Sequence, residues 1–193
     1  MAATTRTRPR SRPVSSLRDH AEVAVPGIAI GLLSGAFAPA IALAAGLAPA
    51  YALVTGLALG VPLAMLGAGY CLLLAYGKFK IGTVAPMALY FAVGFPLARL
   101  MHQFAVAQVS GYDSALTEPL WSFLVFQMLL SFGYTIGFLW LHERFAVRWL
   151  MRIHERNPLA DSLLDRYSEH ASTMVRRNAR SRPSRGPRQR GAT

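Results

Sequence analysis

Acidic residues are scarce in this chain and lysine is scarcer: nine Asp and Glu stand against 20 Lys and Arg, and Lys78 and Lys80 are the only lysines. From Val23 to Gly77 there is no Asp, Glu, Lys or Arg at all. At roughly 20 residues per ~30 Å of hydrocarbon, that run is long enough to cross a bilayer twice. Cysteine is nearly missing as well. Cys71 stands alone, which excludes an intrachain disulfide and a Cys-based zinc site, and inside an apolar span it reads as a small buried residue. There is no phosphate-cradling glycine loop, no HExxH and no GxSxG, so nothing supports an enzyme.

What is present is apolar. With 53% hydrophobic and 15% charged residues, the 193-residue chain has material for one small membrane domain plus tails. Two further apolar stretches, Ile81 to Ala98 and Pro119 to Leu141, bring the expected crossings to four, over about 23–45, 51–76, 82–106 and 119–141. The fold class expected is an all-α integral membrane protein, a four-transmembrane-helix bundle with a cytoplasmic amphipathic helix and disordered basic termini. The first apolar run exceeds the usual 7–15-residue core of a signal peptide, so a retained span is expected despite small-residue sites at Ala42-Leu43-Ala44 and Ala48-Pro49-Ala50.

Residues 1–20 and 176–193 are rich in Arg, Pro and Ser and poor in apolar residues, the composition of disordered tails. Placing both termini and the Lys78–Lys80 loop in the cytoplasm puts every basic cluster inside, as the positive-inside rule requires. The dominance of Arg over Lys and the abundance of Ala point to a GC-rich bacterium, hence to a bacterial cytoplasmic membrane.

Glycine spacing is the clearest pattern in the spans. Gly27, Gly31 and Gly35 form consecutive small-xxx-small steps, Gly56 and Gly60 repeat the step on the second span, and Gly133 and Gly137 on the fourth. Such steps let backbones approach closely where lipid supplies no hydrophobic drive, and packing within the bundle is the reading preferred over a homo-oligomer seam.

Arg99, His102 and Gln103 form a polar cluster on one helix face, with Gln127 an expected hydrogen-bond partner from the fourth span. Arg99 lies 19 residues past Lys80, about 28 Å along a straight helix, so it is expected near the outer headgroups, paired with Asp113, Glu118 or a lipid phosphate.

Beyond the fourth span, over 142–175, Arg144, Arg148, Arg152 and Arg156 recur every fourth residue beside Phe145, Trp149 and Ile153. That spacing predicts a helix leaving the bilayer along its surface, its arginines on anionic headgroups. Asn157-Pro158 then starts another helix, with Leu159, Leu163, Tyr167, Ala171 and Met174 on one face. His142 and His154 point about 120° apart on one helix and cannot share an ion, so neither metal nor other cofactor is expected.

The expected function is that of a non-enzymatic accessory or scaffold protein holding a membrane-protein partner, or further copies of itself, through glycine-lined faces and the basic segment. A small oligomeric channel or transporter using Arg99, His102 and Gln127, with breaks at Pro39, Pro62, Pro86 and Pro96, is the alternative. A membrane tether for nucleic acid through the Arg-rich tails is the third reading.

Overall fold

The computed structural model describes residues 15–181, of which nearly all are helical and none is in a strand. The helices are α1 (Leu17–Gly35), α2 (Phe37–Ala44), α3 (Pro49–Ala75), α4 (Val84–Ser110), α5 (Leu120–Ile153) and α6 (Pro158–Ser181). Four stretches are long and apolar enough to cross a membrane: α1 with α2 as one unit, then α3, α4 and α5.

These four run antiparallel in sequence. Gly27 meets Gly67 while Gly35 meets Gly60. Tyr70 meets Phe91 while Leu59 and Leu63 cluster with Ala98. Phe91 meets Phe138 while Arg99 meets Gln127. The start of α1 and the end of α5 therefore share one end of the bundle, here the near end, and the α2–α3 and α4–α5 loops share the far end.

Proline explains two local features. Pro39 has no N–H, and its ring clashes with the carbonyl four residues back, that of Gly35, which is where α1 stops before α2 resumes. Pro26 sits inside α1 and leaves the Glu22 carbonyl without its helical partner. Trp149 of α5 supplies the missing donor, its indole N–H reaching that carbonyl at 2.7 Å. The prolines at 62 and 96 are accommodated inside α3 and α4, and Pro86 lies in the first turn of α4.

The α1–α3 seam carries the closest packing. A Cβ added at Gly27 would strike the Gly67 carbonyl, one at Gly31 would strike the backbone at Leu63 and Ala64, and one at Gly35 would strike the Gly60 backbone. Gly56 takes the ring of Pro39. Toward the near end the bundle axis is filled by rings: Tyr70, Phe91, Tyr134 and Phe138 pack with centroids 4.9–6.4 Å apart, and Phe91 and Phe138 are buried. Such edge-to-face and tilted pairs are each worth roughly 0.5–1.5 kcal/mol beyond area burial.

Several boundaries differ from the sequence expectation. Helix α1 begins at Leu17, six residues before the charge-free run, because Ser16 and Asp19 form a capping box. Helix α5 is one uninterrupted rod to Ile153, so the basic stripe rides on the straight continuation of the fourth span rather than on a separate surface helix. Ala146, Leu150 and Ile153 continue the buried face of α5, and that burial keeps the rod docked. Helix α6 reaches Ser181 rather than Val175, since no helix breaker occurs before Pro183. The tail segments 1–14 and 182–193 lie outside the described residues.

Candidate functional site

Three of the four predicted polar residues meet between α4 and α5. The Arg99 Nε donates to Gln127 Oε1 at 3.3 Å, and its Nη1 lies 3.0 Å from His102 Nδ1. A guanidinium can only donate, so His102 Nδ1 accepts and its proton sits on Nε2. That Nε2 is buried without a partner among the described residues, as is the hydroxyl of Thr55 on α3. By the register that sets Leu59 and Leu63 against Ala98, Thr55 lies on α3 about a turn from the level of His102. An unmade buried hydrogen bond costs about 1–3 kcal/mol, so these donors are held there against a local penalty. Gln103, four residues past Arg99 on α4, stands apart and lines a far-end depression of about 470 Å³ together with Tyr112, Asp113 and Ser114.

Two expectations for Arg99 change. Helix α4 runs from Val84 to Ser110, against an expected span of about 82–106, and the rise counted from Lys80 included residues of the turn that Lys78 to Thr83 form between α3 and α4. Arg99 is thus fifteen residues from one end of α4 and eleven from the other, about 22 and 16 Å, near the middle of the helix. Among the described residues no carboxylate pairs with it: the ion pairs formed are those of Arg18 and Arg156 with Glu22 and of His154 with Asp161.

The glycine steps separate into two groups. Gly27, Gly31, Gly35, Gly56 and Gly60 are packed within the bundle, with Gly67 a further partner that the spacing reading missed. Gly133 and Gly137 are exposed, and a Cβ at either would meet no atom within 4 Å, so intramolecular packing is not their role. They lie on the same face of α5 as Trp140 and the exposed Arg144 and Arg148, with Arg152 at its edge. The Arg144 guanidinium rests 4.4 Å from the Trp140 ring centroid, a cation–π contact that holds it extended along the helix. Arg156 leaves the stripe: α5 has ended, and its Nη2 pairs with Glu22 Oε1 at 3.3 Å.

The near end is closed by a lock centred on Asn157, which is fully buried. Its Oδ1 accepts from the backbone N–H groups of Leu159 and Ala160, capping α6, while its Nδ2 donates to the Asp19 carbonyl and to Glu22 Oε2. Helix α6 then crosses to α3, where Arg166 Nη2 donates to the Ala75 carbonyl at 2.6 Å and His170 comes against Gly82. Leu163 is buried and Leu159 and Tyr167 are partly buried in this contact, whereas Ala171 and Met174 remain exposed. Burial pushes the Tyr167 phenol well above its ordinary range, so it stays neutral and apolar in character.

One pair escaped sequence reading altogether. His142, taken as the first residue beyond the spans, is buried with its Nε2 3.3 Å from Cys71 Sγ of α3 and its ring stacked on Phe138. The four-residue spacing of Phe138 and His142, continuing the buried face of Gln127, Ser131 and Thr135, was the available signal. No group of three His, Cys, Asp or Glu gathers to hold a metal among the described residues. Comparison with known proteins gives no match: no family model, no curated protein and no solved structure is similar to this chain.

Proposed function

We propose that this is a non-enzymatic scaffold or accessory protein of a bacterial cytoplasmic membrane, oriented with both termini inside, that holds a membrane-protein partner along α5. One observation carries the reading: the open glycine step at Gly133 and Gly137 leads, past Trp140, to the exposed Arg144 and Arg148 on the same helix face, with Arg152 at its edge. The glycines accept a close-packed helix in the membrane, and the arginines meet acidic residues of the same partner or anionic headgroups where the helix leaves the lipid. The glycines of α1 and α3 are already occupied and take no part.

Replacing both Gly133 and Gly137 by Ile tests this, because neither side chain has anything to collide with inside the chain. The double variant is expected to purify in mild detergent with an unchanged thermal midpoint and without the proteins that accompany the native chain. An unchanged set of accompanying proteins overturns the proposal.

The channel or transporter alternative draws on the mid-span position of Arg99, but the rings of Tyr70, Phe91, Tyr134 and Phe138 fill the axis on its near side. Any path therefore runs between copies rather than through one. Solute flux in liposomes that Arg99→Ala abolishes would favour it. Nucleic-acid tethering rests on the tails alone, and salt-dependent binding by the full chain is its test.

A further inference from the structure

Arg99 is a cation near the middle of a membrane-crossing helix, and no carboxylate among the described residues pairs with it. Its two hydrogen bonds go to the neutral groups Gln127 and His102, which leaves three of its five N–H groups without an acceptor among the described residues. Beside it, His102 is 7% exposed and carries a buried, unpartnered Nε2–H. The cluster has donors in excess and one positive charge in excess, and the side chain of Arg99 is only partly covered. What satisfies both deficits is a carboxylate, which accepts from a guanidinium in a matched fork and brings a single negative charge.

The source of that carboxylate is narrowed by the sequence. No Asp or Glu occurs between Glu22 and Asp113, or between Glu118 and Glu143, so no second copy of the chain carries an acid at the depth of Arg99. Lipid carboxylates and phosphates sit at the headgroups, about 15 Å from the middle of the hydrocarbon. A soluble anion arriving through the far-end depression meets Asp113 in its lining, a like charge at the entrance. A carboxylate is delivered to mid-depth by another membrane-crossing helix. We propose that Arg99, with His102 beside it, is the pairing point for an Asp or Glu in the middle of a transmembrane helix of a different protein. This rests on the scaffold reading above and names the chemistry of the partner, on the α4–α5 side of the bundle.

The test uses the full chain in phosphatidylcholine nanodiscs at pH 7 and a fluorescent Leu-rich transmembrane peptide bearing one central Asp, with association read by energy transfer. The Asp peptide is expected to bind about tenfold more tightly than its all-Leu counterpart, a preference that Arg99→Gln removes. It is expected to return in swapped form when an Arg99→Glu protein meets a peptide with a central Arg. Because no carboxylate among the described residues pairs with Arg99, Arg99→Gln is expected to leave the thermal midpoint unchanged or raise it. A marked fall would assign the residue a structural role and contradict the inference. Equal binding of the Asp and all-Leu peptides overturns it, as does binding of labelled oleate at Arg99 without any preference for the acidic helix. Loss of native partners from the Gly133→Ile, Gly137→Ile protein, with no acidic-helix preference, leaves the scaffold reading standing and removes this one.

Discussion

The α1–α3 seam and the outward face of α5 use the same residue type to opposite ends. At the seam Gly27, Gly31 and Gly35 each meet a facing backbone, with Gly27 against Gly67 and Gly35 against Gly60, so the glycines have already done their work when the chain folds. On α5 the same four-residue step at Gly133 and Gly137 faces open space. In lipid, a backbone groove left unfilled by its own chain is a surface on which another helix can gain van der Waals contact. The same sequence motif therefore means architecture in one place and availability in the other, and only the packing around it decides which.

The sharpest way to break the comparison is to put the same side chain on both faces. Gly31→Leu drives atoms into the Leu63–Ala64 backbone, which cannot yield as a flexible side chain can. Its destabilisation is expected at about 3 kcal/mol or more, seen as loss of monodisperse protein and a collapsed thermal midpoint. Next comes the near-end lock. Asn157→Ala removes the cap of α6 and the bonds to Asp19 and Glu22 together, an expected loss of about 2–3 kcal/mol with early proteolysis inside α6. Trp149→Phe strips one donor from the Glu22 carbonyl that Pro26 leaves free, and about 1–2 kcal/mol is expected from denaturation in the same detergent. Smallest of all, Gly137→Leu on the open face is expected to change the stability of the isolated chain by no more than about 0.5 kcal/mol. If Gly31→Leu and Gly137→Leu were equally damaging, the distinction between the two faces would be lost.

Much of this was legible in advance, and the reasons are physical. Four apolar runs bounded by charge or glycine mark their helices because lipid tolerates little else, and Asn157-Pro158 marks the start of α6 because the cap chemistry is local. The pairing of Arg99 with Gln127 was also foreseeable, since polar groups on facing spans have few other partners. What the sequence hid depends on register between distant segments. The position of Arg99 along its helix differs from the straight count because the turn over Lys78 to Thr83 consumes residues that a straight helix would have counted as rise. His142 counted as the first residue past the fourth span, yet its face of α5 continues that of Phe138 and turns toward Cys71. Arg156 looked like the fourth member of a lipid-facing stripe, but the end of α5 at Ile153 swings it onto Glu22. For Arg99 and Arg156 the reading failed where the chain turned, and for His142 it failed because the buried face of α5 runs on past the expected end of the span.

The most direct measurement is photocrosslinking in intact cells from position 137, on the open glycine face of α5, and from position 93, an exposed valine on α4 well away from it. We expect a photoreactive residue at 137 to capture a discrete second polypeptide, while the one at 93 labels lipid. Lipid labelling alone from both positions would contradict the view that the free face of α5 is where this protein holds its partner.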